Sequence, residues 1–97
     1  MDESLCEIAI DISNRPFLHF NAAFPQPKVG QFDVELVEEF FRAFTNNARI
    51  TLHMSVKYGQ NSHHMIEACF KALGIHLNHA SRIDKNRKGV PSTKGLL

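Results

Sequence analysis

The spacing of apolar and polar positions changes period along the chain, and each period predicts an element. Over 5–12 the apolar side chains Cys6, Ile8, Ile10 and Ile12 take every second position with Glu7 and Asp11 opposite, as in a half-buried strand. Ser13 and Asn14 are turn formers and Pro16 fixes the chain on its way onward, so a hairpin into a second strand over 17–24 is expected. Pro25, Pro27 and Gly30 mark a loop. Asp33 is then placed to cap a helix whose apolar stripe is Leu36, Val37, Phe40, Phe41 and Phe44, and so aromatic a stripe is expected to be core. Asn46 and Asn47 end that helix. Ile50, Leu52, Met54, Val56 and Tyr58 alternate with Thr51, His53, Ser55 and Lys57, the clearest strand pattern in the chain, which turns His53 away from the main apolar face.

Three-and-four spacing returns at Met65, Ile66, Cys69, Phe70 and Leu73, with Asn61 or Ser62 as N-cap. A helix over 62 to about 80 follows, although Gly74 inside it costs about 1 kcal/mol relative to alanine. The order strand, strand, helix, strand, helix predicts an α+β class: a small mixed or antiparallel sheet with two helices on one face.

Composition narrows the class without naming a function. Ninety-seven residues make one small domain, able to bury only about 60 to 68% of the surface its unfolded chain exposes. A hydrophobic content of 43% with 22% charged residues is that of a globular protein, and a net charge of +1 argues against a general nucleic-acid or acidic-membrane binder. No apolar run is long enough to span a bilayer, and the first residues lack a secretory signal, so a cytoplasmic location is expected. Cys6 and Cys69 form no metal or redox spacing and are expected to be buried, reduced thiols.

The segment 59–71, GQNSHHMIEACFK, concentrates residues that packing does not require. On a helix His63 and Glu67 are four apart, His64 and Glu67 three apart, and Glu67 and Lys71 four apart, so one side of the first turns carries two imidazoles, a carboxylate and an ammonium. That set suits a borderline divalent cation such as Mn, Fe, Co or Zn. The adjacent histidines point about 100° apart, which suits two ions better than one. The plain alternative is a capped surface helix with an i, i+4 ion pair. His76 and His79 are expected to be solvated groups near a helix C-terminus.

The wider order of motifs resembles imidazoleglycerol-phosphate dehydratase. It comprises Met1, Asp2, Glu3 and Leu5, then DISNRP at 11–16, GQFDVELVEEFF at 30–41, TLH at 51–53, the HHxxE helix, and PSTKG at 91–95. The resemblance covers nearly the whole chain and corresponds to the C-terminal half of that enzyme only. It implies a fold like the second domain of ribosomal protein S5, one half of a duplicated unit, over 1–97. It also implies dehydration of imidazole glycerol phosphate to imidazole acetol phosphate on two divalent ions, usually Mn2+. By the same resemblance His63, His64 and Glu67 are metal ligands, and Glu67 is also a candidate proton carrier. Glu39 stands where other members carry a metal-binding histidine. Arg15, Lys71, Ser92 and Lys94 are phosphate-binding, the last two in a basic tail over 82–97 expected to be loop-like. Partners implied are imidazole glycerol phosphate and other copies or an N-terminal half-domain, within a large symmetric homo-oligomer. An inactive fragment that at most binds metal, or pairs with other half-domains, is the rival expectation.

Overall fold

The computed structural model describes residues 1–86. In chain order it contains β1 (Leu5–Asp11), β2 (Phe17–Asn21), β3 (Lys28–Val29), β4 (Phe32–Asp33), α1 (Glu35–Ala48), β5 (Thr51–Tyr58) and α2 (Ser62–Asn86). The strand with the strongest alternation takes the centre. β5 buries Leu52, Met54 and Val56 and lies between β1, antiparallel to it, and β2, parallel to it.

The expected hairpin between the first two strands is therefore absent. β1 and β2 stand on opposite flanks of β5, and residues 12–16 must bridge two strand spacings, about 9.6 Å. The turn chemistry read from the sequence serves this wider crossing. Asn14 is left-handed at φ 63°, its side chain accepts from the Arg49 guanidinium, the Arg15 carbonyl accepts from Thr51 Oγ1 at 2.8 Å, and Phe17 N donates to Ile50 O at 3.1 Å. A hairpin would leave β5 as an edge strand with a fully apolar side, so the central position wins on burial.

β2 ends at Asn21, short of the expected 24. The following loop holds the small β3–β4 hairpin, turned by Gly30 at φ 62° and clipped by a Lys28–Asp33 ion pair of 2.9 Å. That pair corrects the expected role of Asp33. Val34 precedes α1, and no side chain caps it. At the other end Arg49 adopts the left-handed conformation and its N–H donates to Thr45 O.

Cys6, Ile8 and Ile10 of β1 and Leu18 and Phe20 of β2 point to the same side as Leu52, Met54 and Val56, against Val37 and Phe41 of α1 and Met65, Cys69 and Leu73 of α2. Both helices thus cover one face of the sheet and leave the other open. The α1 stripe is only partly core, another correction: Leu36 and Phe40 stay 42% and 48% exposed, and Phe70 of α2 beside them 41%. One sheet face and one neighbouring helix cannot cover so wide a stripe. α2 continues past residue 80 to Asn86, because 81–86 contain neither Gly nor Pro to stop it.

Candidate metal and anion-binding site

The turn between β5 and α2 is built by close approach. A Cβ at Gly59 would lie 2.5 Å from Met65 Cγ and 2.6 Å from Ser4 Oγ, so only glycine lets the buried Ser4 and Met65 meet there. Asn61 is the N-cap, its Oδ1 accepting from His64 N at 3.0 Å. Ser62 is buried and locked to Gln26, donating from its N to Gln26 Oε1 at 2.8 Å and from Oγ to Gln26 O at 2.9 Å. The first turn of α2 is consequently held from two sides.

The helix makes the two histidines diverge, with ring planes at 74° and centres 6.3 Å apart. His63 turns toward Glu67, Nε2 to Oε1 3.6 Å, and both line an open cleft of about 150 Å³ walled by Val29, Phe32 and Ile66. His64 turns the other way. Its Nδ1 lies 2.8 Å from Glu3 Oε1 and its Nε2 3.8 Å from Asp2 Oδ2. Donor atoms of Asp2, Glu3 and His64 lie within 4.8 Å of one another, close enough to take one cation. Each imidazole thus has its own carboxylate, a nitrogen and oxygen donor set that fits a borderline divalent ion.

Glu3 Oε2 accepts from Gln60 N at 2.9 Å and Asn61 N at 3.1 Å. The Gln60 N–H, with His64, holds the Glu3 carboxyl down at about 2 against an ordinary 4.5, while the Glu3 carboxylate raises His64 above 6.5. The Glu3 contribution to stability is present above about pH 4.5 and is lost as pH falls toward 2. The His64 contribution is complete below 6.5 and is lost as pH rises through its elevated value. In Glu3→Gln the His64 ring, followed by NMR titration without metal, is expected to titrate at lower pH than in wild type. An unmoved midpoint would refute the pairing.

The remaining sequence candidates are spread out. Lys71 is exposed on α2, and Glu39 is exposed on α1. Among the described residues the set of three potential metal donors within reach of one ion does not include Glu39. Arg15 is exposed in the loop over the first residue of β5, whereas His63 and His64 follow its last. The eight residues of β5 separate the two places by about 23 Å at roughly 3.3 Å per residue. Ser92 and Lys94 lie outside the described residues. His53 is exposed, and His76 Nδ1 lies 2.8 Å from Ala72 O within its own helix. Cys69 is buried and Cys6 partly so, both as free thiols. Sequence spacing did not single out Asp2 and Glu3 as site residues, since Glu3 meets His64 across 61 positions.

Comparison with known proteins gives one consistent match. The family model described as imidazoleglycerol-phosphate dehydratase matches residues 1–77. The Bacillus velezensis imidazoleglycerol-phosphate dehydratase is 61% identical over 97 residues, all of this chain and 50% of the relative, and that of Bacillus licheniformis is 59% identical over the same span. The crystal structure of the Staphylococcus aureus enzyme superposes with a TM-score of 0.73 at 57% identity, covering 75% of this chain and 43% of that one. The Pyrococcus furiosus structure gives 0.72 at 38% identity, covering 79% and 43%. The chain spans about half the length of the curated relatives it matches.

Proposed function

The chain belongs to the imidazoleglycerol-phosphate dehydratase family, and from that premise we propose that it contributes half of an active site that removes water from imidazole glycerol phosphate in histidine biosynthesis, giving imidazole acetol phosphate. The observation that carries this is the divergence of His63 and His64, each toward its own carboxylate. Two ions, Mn2+ in this proposal, would be held by His63 with Glu67 and by His64 with Glu3. A divalent ion on a substrate imidazole draws electron density from the ring, which makes the proton on the adjacent unactivated carbon removable.

The chain's own groups do the rest. Val29, Phe32 and Ile66 offer a planar ring an apolar wall beside His63. Glu67, at the cleft, is placed to accept or return a proton at a carboxylate oxygen, and the exposed Glu39 is a reserve oxygen donor. Arg15 and Lys71, with Ser92 and Lys94 beyond the described residues, take the phosphate. A substrate held at His63 does not reach Arg15 of the same chain, because the length of β5 lies between. Arg15 therefore serves a substrate bound at another copy or half-domain, and the complete site requires a symmetric assembly. Among the described residues no helix is long and apolar enough to cross a membrane, and the proposal places the enzyme in the cytoplasm.

The rival reading is a half-domain that is inactive and at most binds metal or pairs with other half-domains. The experiment is turnover of imidazole glycerol phosphate with Mn2+, using this chain alone and then mixed with the N-terminal half of the Bacillus velezensis relative. Activity is expected only in the mixture, with His64→Ala lowering it about 100-fold or more. A folded chain that stays inactive in the mixture would overturn the proposal.

A further inference from the structure

The open face of the sheet carries a feature that the dehydratase proposal does not use. β2 runs parallel to β5 with His19 directly beside His53, and both side chains are exposed on the side away from the helices. Their ring centres are 5.7 Å apart and inclined by 32°. Phe17 lies against the same His53 ring, centres 5.8 Å apart, and limits where that ring can turn. On the other flank the β1 partner of His53 is Ala9, too small to cover the pair.

The spacing fits a shared ion. An ion about 2.1 Å from one nitrogen of each ring lies roughly 3.2 Å from each ring centre, so angles of about 90° to 180° at the ion correspond to centres about 4.5 to 6.4 Å apart. The donors are imidazoles alone. Of the nearest acids on this face, Glu7 is turned to Lys57 at 3.7 Å, and Asp11 pairs with Thr51 at the end of the sheet. Imidazole without carboxylate selects copper, nickel or zinc over oxygen-seeking ions such as manganese or magnesium. The backbone hydrogen bonds between β2 and β5 hold the two Cα atoms in register, so little freedom is lost on binding.

We propose that His19 and His53 form a two-imidazole chelate for a divalent ion of the copper, nickel or zinc class, on the sheet face opposite the helices and independent of the α2 site. Its remaining coordination positions are open to water or to an incoming ligand.

The test uses Cu2+ alone as probe on the full chain, with ring signals followed by NMR. Substoichiometric Cu2+ is expected to broaden the His19 and His53 ring signals together, while Mn2+ leaves both sharp. The His63 and His64 signals report the α2 face separately. In H19Q and in H53Q the Cu2+ affinity of the remaining ring is expected to fall about 100-fold, the usual gain from two linked contacts. Both substitutions are on the exposed face, and the wild-type broadening pattern needs no variant at all. Broadening of His53 that is unchanged in H19Q, or equal broadening by Mn2+, would overturn the proposal.

Discussion

Replacing Phe41 with alanine is expected to remove most of the stability of the isolated chain. Phe41 is fully buried, with the rings of Phe70, Phe40 and Phe20 centred 4.9, 5.3 and 6.0 Å from its own. It joins α1 to α2 and to β2, so truncation opens a cavity that no single element can close. A buried phenylalanine cut to alanine costs about 3 to 5 kcal/mol, against a total stability of about 5 to 15 kcal/mol for a native domain. A chain of this length with exposed aromatics belongs at the low end. Thermal unfolding followed by circular dichroism should show a midpoint lower by about 15 °C or more. Phe40→Ala is the control, since its ring is 48% exposed in this chain. Equal losses in the two variants would mean that Phe41 is not the centre of the core.

Gly59→Ala should also destabilise the chain, by less and by overfilling rather than emptying. The added methyl would meet Met65 Cγ at 2.5 Å and Ser4 Oγ at 2.6 Å, and both residues are buried. Relief requires the start of α2 and the segment before β1 to part, at a cost of about 1 to 3 kcal/mol. The same two segments carry His64 and Glu3, whose contact is 2.8 Å. Stability and site geometry should therefore fail together. In Gly59→Ala the His64 ring is expected to titrate at lower pH than in wild type and Mn2+ to bind more weakly, the first read by NMR and the second by calorimetry. A destabilised variant with an unmoved His64 would separate the joint from the site.

What the sequence disclosed was whatever its neighbours in sequence determine. The alternation of β5, a cap at Asn61 or Ser62 and the divergence of His63 from His64 are local geometry; all three are present, with Asn61 as the cap. Strand pairing is not local. A turn such as Ser13-Asn14 suits a hairpin or a wider crossing equally, and only the burial of Leu52 and Met54 on a strand formed much later decides between them. Asp33 has the chemistry of a cap but is drawn to Lys28 across a hairpin of two-residue strands, too short to leave a period. The α1 stripe reads as core because hydrophobicity does not say which chain will cover it. Glu3 joins the site from 61 positions away, a distance no motif spacing spans.

The central position of β5 also sets an order of events in synthesis. Within this chain β1 and β2 are made before β5, and since neither pairs with the other, each waits for the same later strand. Leu5 finds its partner only when Tyr58 has been made. Until then two strands with unpaired edges are open to wrong partners, and the late insertion makes folding slower than the small size alone would suggest. A nascent chain stalled before residue 51 has both flanks of its sheet and no sheet.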